Sequence, residues 1–298
     1  MIYRGDLNTE KQNPQSQKID SMSIIDILTT INREDQTIAH AVEQTIPDIE
    51  AVVRFTTESI QRGGRVFYVG AGTSGRLGVL DASEIPPTYS APKDLFIGII
   101  AGGEDALRNS IEGAEDKPDQ AIQDLEPYNI NKHDTVIGIS CSGAAAYVVS
   151  AIDFVRTKGA KTAYLVTNPK PFKMAEVDIV IQADTGPEIV TGSTRMKAGT
   201  ATKMVLNMIS TATMIKLGKV YSNLMVDLMA VNEKLVDRGT RIIKQLTGLD
   251  HENAKNRLYE AEKSVKMAIV MEKLGCTLSE ARVRLDEENG LLRNIIDK

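Results

Sequence analysis

The sequence predicts an α/β protein: a doubly wound parallel sheet of five strands flanked by helices, with a small C-terminal all-helical domain. Five short apolar runs lie between residues 65 and 182, and they are rich in Val, Ile, Phe and Tyr without polar alternation. Such runs, separated by helices, are typical of strands that are covered on both faces. The 298 residues are enough to bury a large core in one domain and a small core in a second.

The individual elements follow from the spacing of the apolar residues. Between residues 21 and 62 this spacing is helical, and Pro47 is expected to divide the stretch into two helices. Residues 193–217 are predicted to form one long helix, and three or four short helices are expected after residue 240. Their expected boundaries are Asp250 or Asn253, Gly275 and Gly290. The predicted strands are 65–69, 95–101, 135–140, 162–166 and 178–182. Three domains are predicted: an N-terminal segment and helix (1–44), the sheet domain (45–240) and a helical bundle (241–298).

Charge and composition exclude several classes of protein. Lys and Arg total 35 against 40 Asp and Glu, and this net charge of −5 argues against a nucleic-acid partner. The two cysteines and three scattered histidines lack the spacing of metal ligands, so we expect neither a disulfide framework nor a metal site. No apolar run reaches the ~18 residues that a membrane span needs, and the N-terminus lacks a secretory pattern. We therefore expect a cytoplasmic protein that does not use a membrane.

The first loop with chemical interest follows the first predicted strand and opens a helix. Its sequence, Gly70-Ala71-Gly72-Thr73-Ser74-Gly75, matches G-x-G-x-x-G, which by itself is a weak indication of a dinucleotide site. A dinucleotide site should also have an acidic residue at the end of the second strand. Here Asp94 lies at the beginning of that strand instead. The alternative is a phosphate site, in which backbone N–H groups and the hydroxyls of Thr73 and Ser74 hold an anion.

Two further helix starts offer the same chemistry. Ser140-Cys141-Ser142-Gly143 follows the third strand, and Thr191-Gly192-Ser193-Thr194-Arg195 opens the predicted long helix. One serine-rich turn would indicate only a helix cap, but three on one sheet favour a compact phosphorylated small molecule over a nucleotide. We therefore predict substrate contacts, without a metal or an organic cofactor, from Thr73, Ser74, Gly75, Ser140, Ser142 and Ser193.

Two acidic turns supply candidate catalytic groups. Glu84 lies in Asp81-Ala82-Ser83-Glu84-Ile85-Pro86-Pro87, where the prolines are expected to end the helix. A carboxylate there faces the negative end of the helix dipole, and its apolar neighbours are expected to desolvate it, which suits a general acid. A solvated helix-end carboxylate is the alternative. Glu115 lies in Glu112-Gly113-Ala114-Glu115-Asp116, which on composition alone is a solvated corner.

These motifs resemble those of N-acetylmuramic acid 6-phosphate etherases. The resemblance runs from about residue 9 to the C-terminus and rests on TEKQNPQSQKID, VGAGTSGRLGVLDASEIPPTYS, EGAED, TGPEIVTGSTRMKAGTATKMVLNMIST and NEKLVDRGTRII. The second motif is the most specific, because other sugar isomerase (SIS) domains share only its strand-Gly-x-Gly-Thr-Ser start.

The resemblance implies that residues 45–240 form an SIS-type phosphosugar-binding catalytic domain, and that the protein is a homodimer with its sites near the subunit interface. It implies a lyase that cleaves the D-lactyl ether of N-acetylmuramic acid 6-phosphate, giving N-acetylglucosamine 6-phosphate and D-lactate in peptidoglycan recycling. Glu84 corresponds to the acid that protonates the departing lactate, and Glu115 to the other catalytic carboxylate, the base at C2. Thr73, Ser74, Ser140 and Ser142 correspond to residues that hold the sugar phosphate.

One departure from the family pattern lies in the third-strand loop. Etherases usually continue it as Ser-Gly-Arg-Thr-Pro, whereas this chain has Ser142-Gly143-Ala144-Ala145-Ala146. A guanidinium and a hydroxyl are absent, and a charge-assisted hydrogen bond contributes roughly 1.5–3 kcal/mol. Phosphate affinity or sugar selectivity is therefore expected to differ unless Arg76, Arg195 or Lys197 substitutes.

Two other functions stay open at this point. The first is a non-catalytic phosphosugar sensor that regulates a sugar kinase, as in the glucokinase regulatory proteins, which resemble the etherases. Their architecture repeats the SIS unit, and this sequence shows one. The second is an aldose–ketose phosphosugar isomerase, which shares proton abstraction at C2 but does not in general carry the Asp81–Pro87 element. Release of D-lactate distinguishes the etherase from both.

Overall fold

One sheet of five parallel strands forms the centre of the computed structural model, which describes residues 3–173, 175–230 and 232–297. Numbered along the chain, the strands lie side by side in the order 2-1-3-4-5. The strands are β1 (Val66–Gly70), β2 (Phe96–Ile100), β3 (Thr135–Ile139), β4 (Lys161–Val166) and β5 (Ile179–Gln182). The sheet confirms the predicted fold class and all five predicted strands. The chain order changes direction beside β1, and ligands of such sheets bind outside the carboxyl ends of the strands at this point.

Helices occupy most of the rest of the described chain. Four of them begin after residue 240, as predicted, and Asp250 caps the first of these while Gly275 ends the second. The helices are α1 (Ile24–Gln36), α2 (Ile38–Glu43), α3 (Ile46–Gln61), α4 (Gly72–Tyr89), α5 (Asp105–Arg108), α6 (Pro118–Leu125), α7 (Ala146–Thr157), α8 (Lys197–Lys216), α9 (Glu233–Thr247), α10 (His251–Glu260), α11 (Val265–Leu274), α12 (Leu278–Glu287) and α13 (Arg293–Ile296).

The chain folds as two compact units. One contains the described residues up to Ser83 together with Asp94–Ser210, and the other contains Glu84–Lys93 together with the described residues from Thr211 onwards. The division into 1–44, 45–240 and 241–298 stays a prediction. No helix among the described residues has both the length and the apolar character that crossing a membrane requires.

The core of the first unit explains why its strands are continuous apolar runs. All five residues of β1 and of β3 are buried, and Tyr147, Val148 and Ile152 of α7 pack into the same core. Gly138 gives α7 room, because a Cβ at that position would lie 2.6 Å from the Ile152 Cδ1 atom. Burial of such side chains supplies most of the stabilisation of the sheet.

A buried lysine organises the second unit. Its core is formed by α9, α10, α11 and their neighbours, and Lys266 lies among these apolar residues. The Lys266 Nζ atom donates to the carbonyls of Gly218 and Gly290, both at 2.9 Å, and to the Asp227 carboxylate at 3.0 Å. Burial lowers the pKa of Lys266, and these three acceptors compensate for the lost hydration of its charge.

Two expectations about the helices are wrong. The stretch before the sheet forms three helices instead of two, because the Thr37 hydroxyl donates to Glu34 O at 2.7 Å and ends α1. Pro47 lies in the first turn of α3, where the missing N–H is not needed.

The second wrong expectation concerns the end of α4. Pro86 and Pro87 lie inside α4, which continues to Tyr89. Ile85 and Tyr89 are buried one turn apart, and their burial offsets the cost of about 3 kcal/mol that a helical proline carries.

Candidate active site

The first turn of α4 lies at the carboxyl end of β1. Gly75 lets this turn approach the sheet closely, because a Cβ there would lie 2.6 Å from Ile100 Cγ1 and 2.8 Å from Gly70 O. Thr73 is half-buried and Ser74 is buried. The first amide groups of a helix have no partner within it, so this turn can present N–H donors to an anion. The structure gives Gly75 a packing role, and its predicted contact with substrate stays a prediction.

The loop after β3, residues 140–145, is the serine loop and is built around its two serines. The Ser140 Oγ atom accepts the Ala145 N–H at 3.4 Å, and the Ser142 Oγ atom accepts the Ala144 N–H at 3.2 Å. A hydroxyl that accepts one hydrogen bond still has its own hydrogen to donate. Ser140 is buried, whereas Ser142 is half-buried. Ser142 is therefore the better placed of the two to donate to a ligand.

These two loops meet at the sheet edge. Gly70 at the end of β1 is paired with Ile139 at the end of β3, so the chain leaves both strands side by side. The Ser74 Oγ atom lies 3.4 Å from the Cys141 Sγ atom. Burial raises the pKa of the Cys141 thiol, which favours its neutral form. The structure thus brings four predicted residues into one region, namely Thr73, Ser74, Ser140 and Ser142.

The start of α8 lies beside the start of α4. A Cβ on Gly199 would lie 3.5 Å from the Thr73 Cγ2 atom. Ser193 is half-buried in the turn before α8, where its N–H donates to Val190 O at 2.9 Å. The predicted helix start at residue 193 is wrong, because the Glu188 carboxylate accepts the N–H groups of Lys197 (3.0 Å) and Ala198 (2.9 Å) and fixes the start there.

Glu84 lies on α4, three turns beyond Thr73, and its side chain is exposed within the chain. The expected burial among apolar neighbours is therefore wrong for the single chain. Ile85 is buried, but it lies about 100° further round the helix, and Leu80, one turn earlier, is itself 51% exposed. Leu80 and Glu84 thus form an exposed face of α4 that combines an apolar and an acidic side chain.

Glu115 lies on the short 3-10 turn Ala114–Asp116 and is also exposed. Buried Ala114 anchors the turn in the core of the first unit, and the turn packs against α7. The Arg76 guanidinium of α4 donates to Leu107 O (3.3 Å) and Asn109 O (2.8 Å), just before this turn. The acidic turn is therefore connected both to the helix that follows the serine loop and to the helix that carries Thr73.

Comparison with known proteins identifies the family. A protein named N-acetylmuramic acid 6-phosphate etherase from Rhizobium rhizogenes is 49% identical over 290 residues, which are 97% of this chain and 94% of that protein. Proteins of the same name from Oceanobacillus iheyensis (49% identical; 96% of this chain and 98% of that protein) and Mycolicibacterium smegmatis (45% identical; 97% of each) are similar over the same extent. The chain belongs to the N-acetylmuramic acid 6-phosphate etherase family.

Two further comparisons concern the sheet domain. Residues 48–156 match the model of the glucokinase regulatory protein N-terminal SIS domain. A solved structure from Bacteroides fragilis, described as a phosphosugar isomerase involved in capsule formation, covers 66% of this chain and 94% of its own, with a TM-score of 0.50 and 19% identity. At this identity the likeness shows the fold alone.

Within the etherase family, this chain lacks the usual arginine of the serine loop, and the structure distinguishes the three cations proposed to replace it. Arg76 binds the carbonyls before the acidic turn. Lys197 is buried, and its Nζ atom lies 2.7 Å from the Glu34 carboxylate. Arg195 is exposed and makes no ion pair or hydrogen bond with any side chain that the structure describes. Of the three, Arg195 keeps a guanidinium for an anion.

Sequence reasoning missed the role of Asp81. Its carboxylate is buried and accepts hydrogen bonds from Tyr68 OH (3.0 Å), Asn207 Nδ2 (2.6 Å) and Ser210 Oγ (3.1 Å). Burial raises the pKa of Asp81, and these three donors partly oppose the shift. The cluster fastens α4 to β1 and to α8. An acidic residue three positions before Glu84, on a helix with apolar neighbours, was the available signal, but its partners lie far away in the sequence.

Proposed function

We propose that this protein is an N-acetylmuramic acid 6-phosphate etherase that cleaves the D-lactyl ether at C3 and yields N-acetylglucosamine 6-phosphate and D-lactate. The observation that carries the proposal is the 49% identity to a protein of that name over nearly the full length of both chains. This extent favours the etherase over a sensor, because the matching family model of the regulatory proteins spans residues 48–156, and over an isomerase, because the likeness to the isomerase structure shows the fold alone.

The phosphate group would bind where the first turn of α4 meets the serine loop. In this proposal the donors are the N–H groups of that turn and the hydroxyls of Ser142 and Thr73, with Ser193 and Arg195 in the turn before α8. Arg195 supplies the positive charge that the serine loop lacks. A chain with net charge −5 can hold an anion here because the donors are local and oriented.

The chemistry requires two carboxyl groups in opposite protonation states. In the open-chain aldehyde form of the sugar, the carbonyl at C1 acidifies the C2 proton, and the Glu115 carboxylate removes it. The electron pair at C2 then forms the C2–C3 double bond, the C3–O bond breaks, and protonated Glu84 delivers a proton to the departing lactate oxygen. Water adds to C3 and a proton returns to C2. Each positioned proton transfer contributes roughly 10²–10⁴-fold to the rate.

The position of Glu84 favours a homodimer with shared sites. Ten helical residues separate it from Ser74, a rise of about 15 Å along α4, which is more than the distance from a sugar phosphate to C3. The exposed face formed by Leu80 and Glu84 suits contact with a second copy of the chain. In this proposal, the Glu84 that serves one phosphate site comes from the partner subunit. We place the protein in the cytoplasm, in the recycling of peptidoglycan sugars.

A D-lactate release assay with purified protein and N-acetylmuramic acid 6-phosphate tests the activity, and NMR of the product separates N-acetylglucosamine 6-phosphate from a ketose. Binding of the sugar phosphate without lactate release would overturn the proposal in favour of a sensor. A ketose product would establish the isomerase.

Mixing two inactive variants tests the shared site. When Glu84→Gln and Glu115→Gln subunits are dissociated and reassembled in equal amounts, about half of the dimers contain one subunit of each kind. If Glu84 acts across the interface, one site of each mixed dimer has both glutamates, and about a quarter of the wild-type activity returns. If both glutamates of a site come from one chain, no activity returns, and the shared-site proposal is wrong while the etherase proposal stands.

A further inference from the structure

The N-terminal segment Leu7–Ser16 has a buried polar face that the proposed chemistry does not use. Thr9, Asn13 and Ser16 are all buried, although the segment contains only one 3-10 turn and otherwise lacks regular structure. Polar side chains are rarely buried unless they make hydrogen bonds, because desolvation without a partner costs free energy. The partners of these three residues therefore indicate what the segment does.

Most of these partners lie in the chain that follows β5. The Gly192 N–H donates to Thr9 O at 3.0 Å, and the Ser16 hydroxyl donates to Ile189 O at 2.7 Å. The Asn13 side-chain amide donates to Pro187 O at 3.2 Å. The N-terminal segment thus holds the turn that leads to Ser193 and Arg195, through hydrogen bonds to backbone atoms.

A second connection runs through Asn168, two residues after the end of β4, to the serine loop. The Thr9 N–H donates to Asn168 Oδ1 at 3.3 Å, and Asn168 Nδ2 lies 3.4 Å from the Thr9 hydroxyl oxygen. Asn168 Nδ2 also donates to Cys141 O at 3.0 Å. The same carbonyl accepts the Thr167 N–H (2.9 Å) and the Thr167 hydroxyl (3.2 Å). One carbonyl oxygen of the serine loop therefore has three protein donors.

These donors determine where the next amide points. The peptide unit that joins Cys141 to Ser142 is planar and trans, so its C=O and N–H bonds point in opposite directions. Because Asn168 and Thr167 hold the carbonyl toward the interior, the Ser142 N–H points away from them. Ser142 also carries the half-buried hydroxyl of this loop, so both of its donors depend on the orientation of one peptide.

We infer that Thr9 and Asn168 are positioning residues, through which the N-terminal segment orients the Ser142 N–H and the serine loop to hold the phosphate of the substrate. The inference rests on the proposed function for the identity of the ligand, but it concerns phosphate binding and not the proton transfers. It assigns the segment a role in substrate affinity, in addition to its contribution to stability.

Isosteric variants of Thr9 and calorimetric binding test this role. Thr9→Val removes the hydroxyl that contacts Asn168 and keeps the size of the side chain, whereas Thr9→Ser keeps the hydroxyl. We expect Thr9→Val to raise the Kd of N-acetylglucosamine 6-phosphate and of inorganic phosphate about fivefold, to raise KM equally and to leave kcat within about twofold. Thr9→Ser should restore wild-type values. Asn8→Ala, which removes an exposed hydrogen bond to Asp184, is the matched control and should change neither constant.

Asn168→Asp supplies a second, larger perturbation. It keeps an oxygen for the Thr9 N–H but replaces the donor to Cys141 O by a carboxylate, and we expect a rise of at least about tenfold in both Kd values. Kd values of Thr9→Val and Asn168→Asp within twofold of wild type, with both variants folded in thermal unfolding, would overturn the inference. A lower Tm without a change in Kd would also overturn it, because it would show a purely structural role. Absence of lactate release from the wild type would overturn only the proposed function, since phosphate binding is measured separately.

Discussion

The serine loop and the two candidate catalytic glutamates, Glu84 and Glu115, are built into the chain in opposite ways. In the serine loop, Ser140 and Cys141 are buried, and the hydroxyls and carbonyls make several hydrogen bonds within one chain. Glu84 and Glu115 are both exposed, and the structure describes no hydrogen bond or ion pair for either side chain. The serine loop is thus fixed by contacts within the chain, whereas both glutamate side chains are presented to solvent.

The proposed function gives a physical reason for this difference. A phosphate keeps its charge throughout the reaction, so fixed donors can be oriented for it in advance. An acid and a base must exchange protons with substrate and water in each cycle. Their environment is therefore completed only by the bound sugar and, in the proposed dimer, by the partner subunit. Mutations should accordingly separate the two regions by their effects on kcat, KM and stability.

The largest expected effect is a loss of turnover when either of the exposed glutamates is changed. Glu84→Gln and Glu115→Gln should each lower kcat at least about 10²-fold, because each removes one positioned proton transfer. Both variants should stay folded, because the structure describes no hydrogen bond or ion pair for either side chain. Glu112→Gln, in the same acidic turn as Glu115, is the control and should keep its turnover. Full activity of both variants in the lactate assay would remove the two-carboxylate mechanism.

The next effect is on substrate affinity and concerns Arg195. Arg195→Gln should raise KM and the Kd of inorganic phosphate about 10- to 100-fold, because it removes a charge-assisted contact worth roughly 1.5–3 kcal/mol. Arg195→Lys keeps the charge but not the forked donor geometry, so its KM should lie between those of the wild type and the Gln variant. An unchanged KM in Arg195→Gln would assign the phosphate charge to another cation.

A third effect is on stability and comes from Asp81, whose hydrogen-bond cluster connects α4 to β1 and to α8. Asp81→Asn should lower the free energy of unfolding at pH 7 by about 1–3 kcal/mol, since an amide group meets three converging donors. Adding Asn207→Asp should restore part of this loss by exchanging the two groups. Chemical denaturation of the single and double variants measures both values.

The pH dependence of Asp81 has a definite sign. The pKa of Asp81 in the fold is raised above its ordinary value of 3.8, so the native state binds the proton more tightly than the unfolded chain. The contribution of this group to stability is therefore greatest below pH 3.8 and falls as the pH rises through the folded pKa. The difference in unfolding free energy between the wild type and Asp81→Asn should decrease over that range. A difference that grows with pH would show that the pKa is lowered.

Sequence reasoning succeeded where the signal is local. The strands are continuous apolar runs, and the helix starts after β1 and β3 carry their own Gly and Ser residues. It failed where a partner lies far along the chain: Glu188 sets the start of α8, Asn168 contacts Thr9 across 159 positions, and Asn207 completes the Asp81 cluster. Prediction of the end of α4 from Pro86 and Pro87 failed for the same reason, because the burial of Tyr89 depends on tertiary packing. The exposure of Glu84 also depends on tertiary structure, because Glu84 shares its face of α4 with the exposed Leu80.

The smallest expected effect is a gain in stability within the serine loop. Ala145 occupies the N-cap position of α7 with an extended backbone, and it has no side-chain oxygen to accept the first amides of the helix. Ala145→Thr, which restores the residue that etherases usually carry there, should raise the unfolding free energy by about 1 kcal/mol through a cap hydrogen bond. Ala145→Val is the matched control, because it adds similar volume without an acceptor. If both variants lower the thermal midpoint, the buried site lacks room for a larger side chain, and alanine is required at this position by packing.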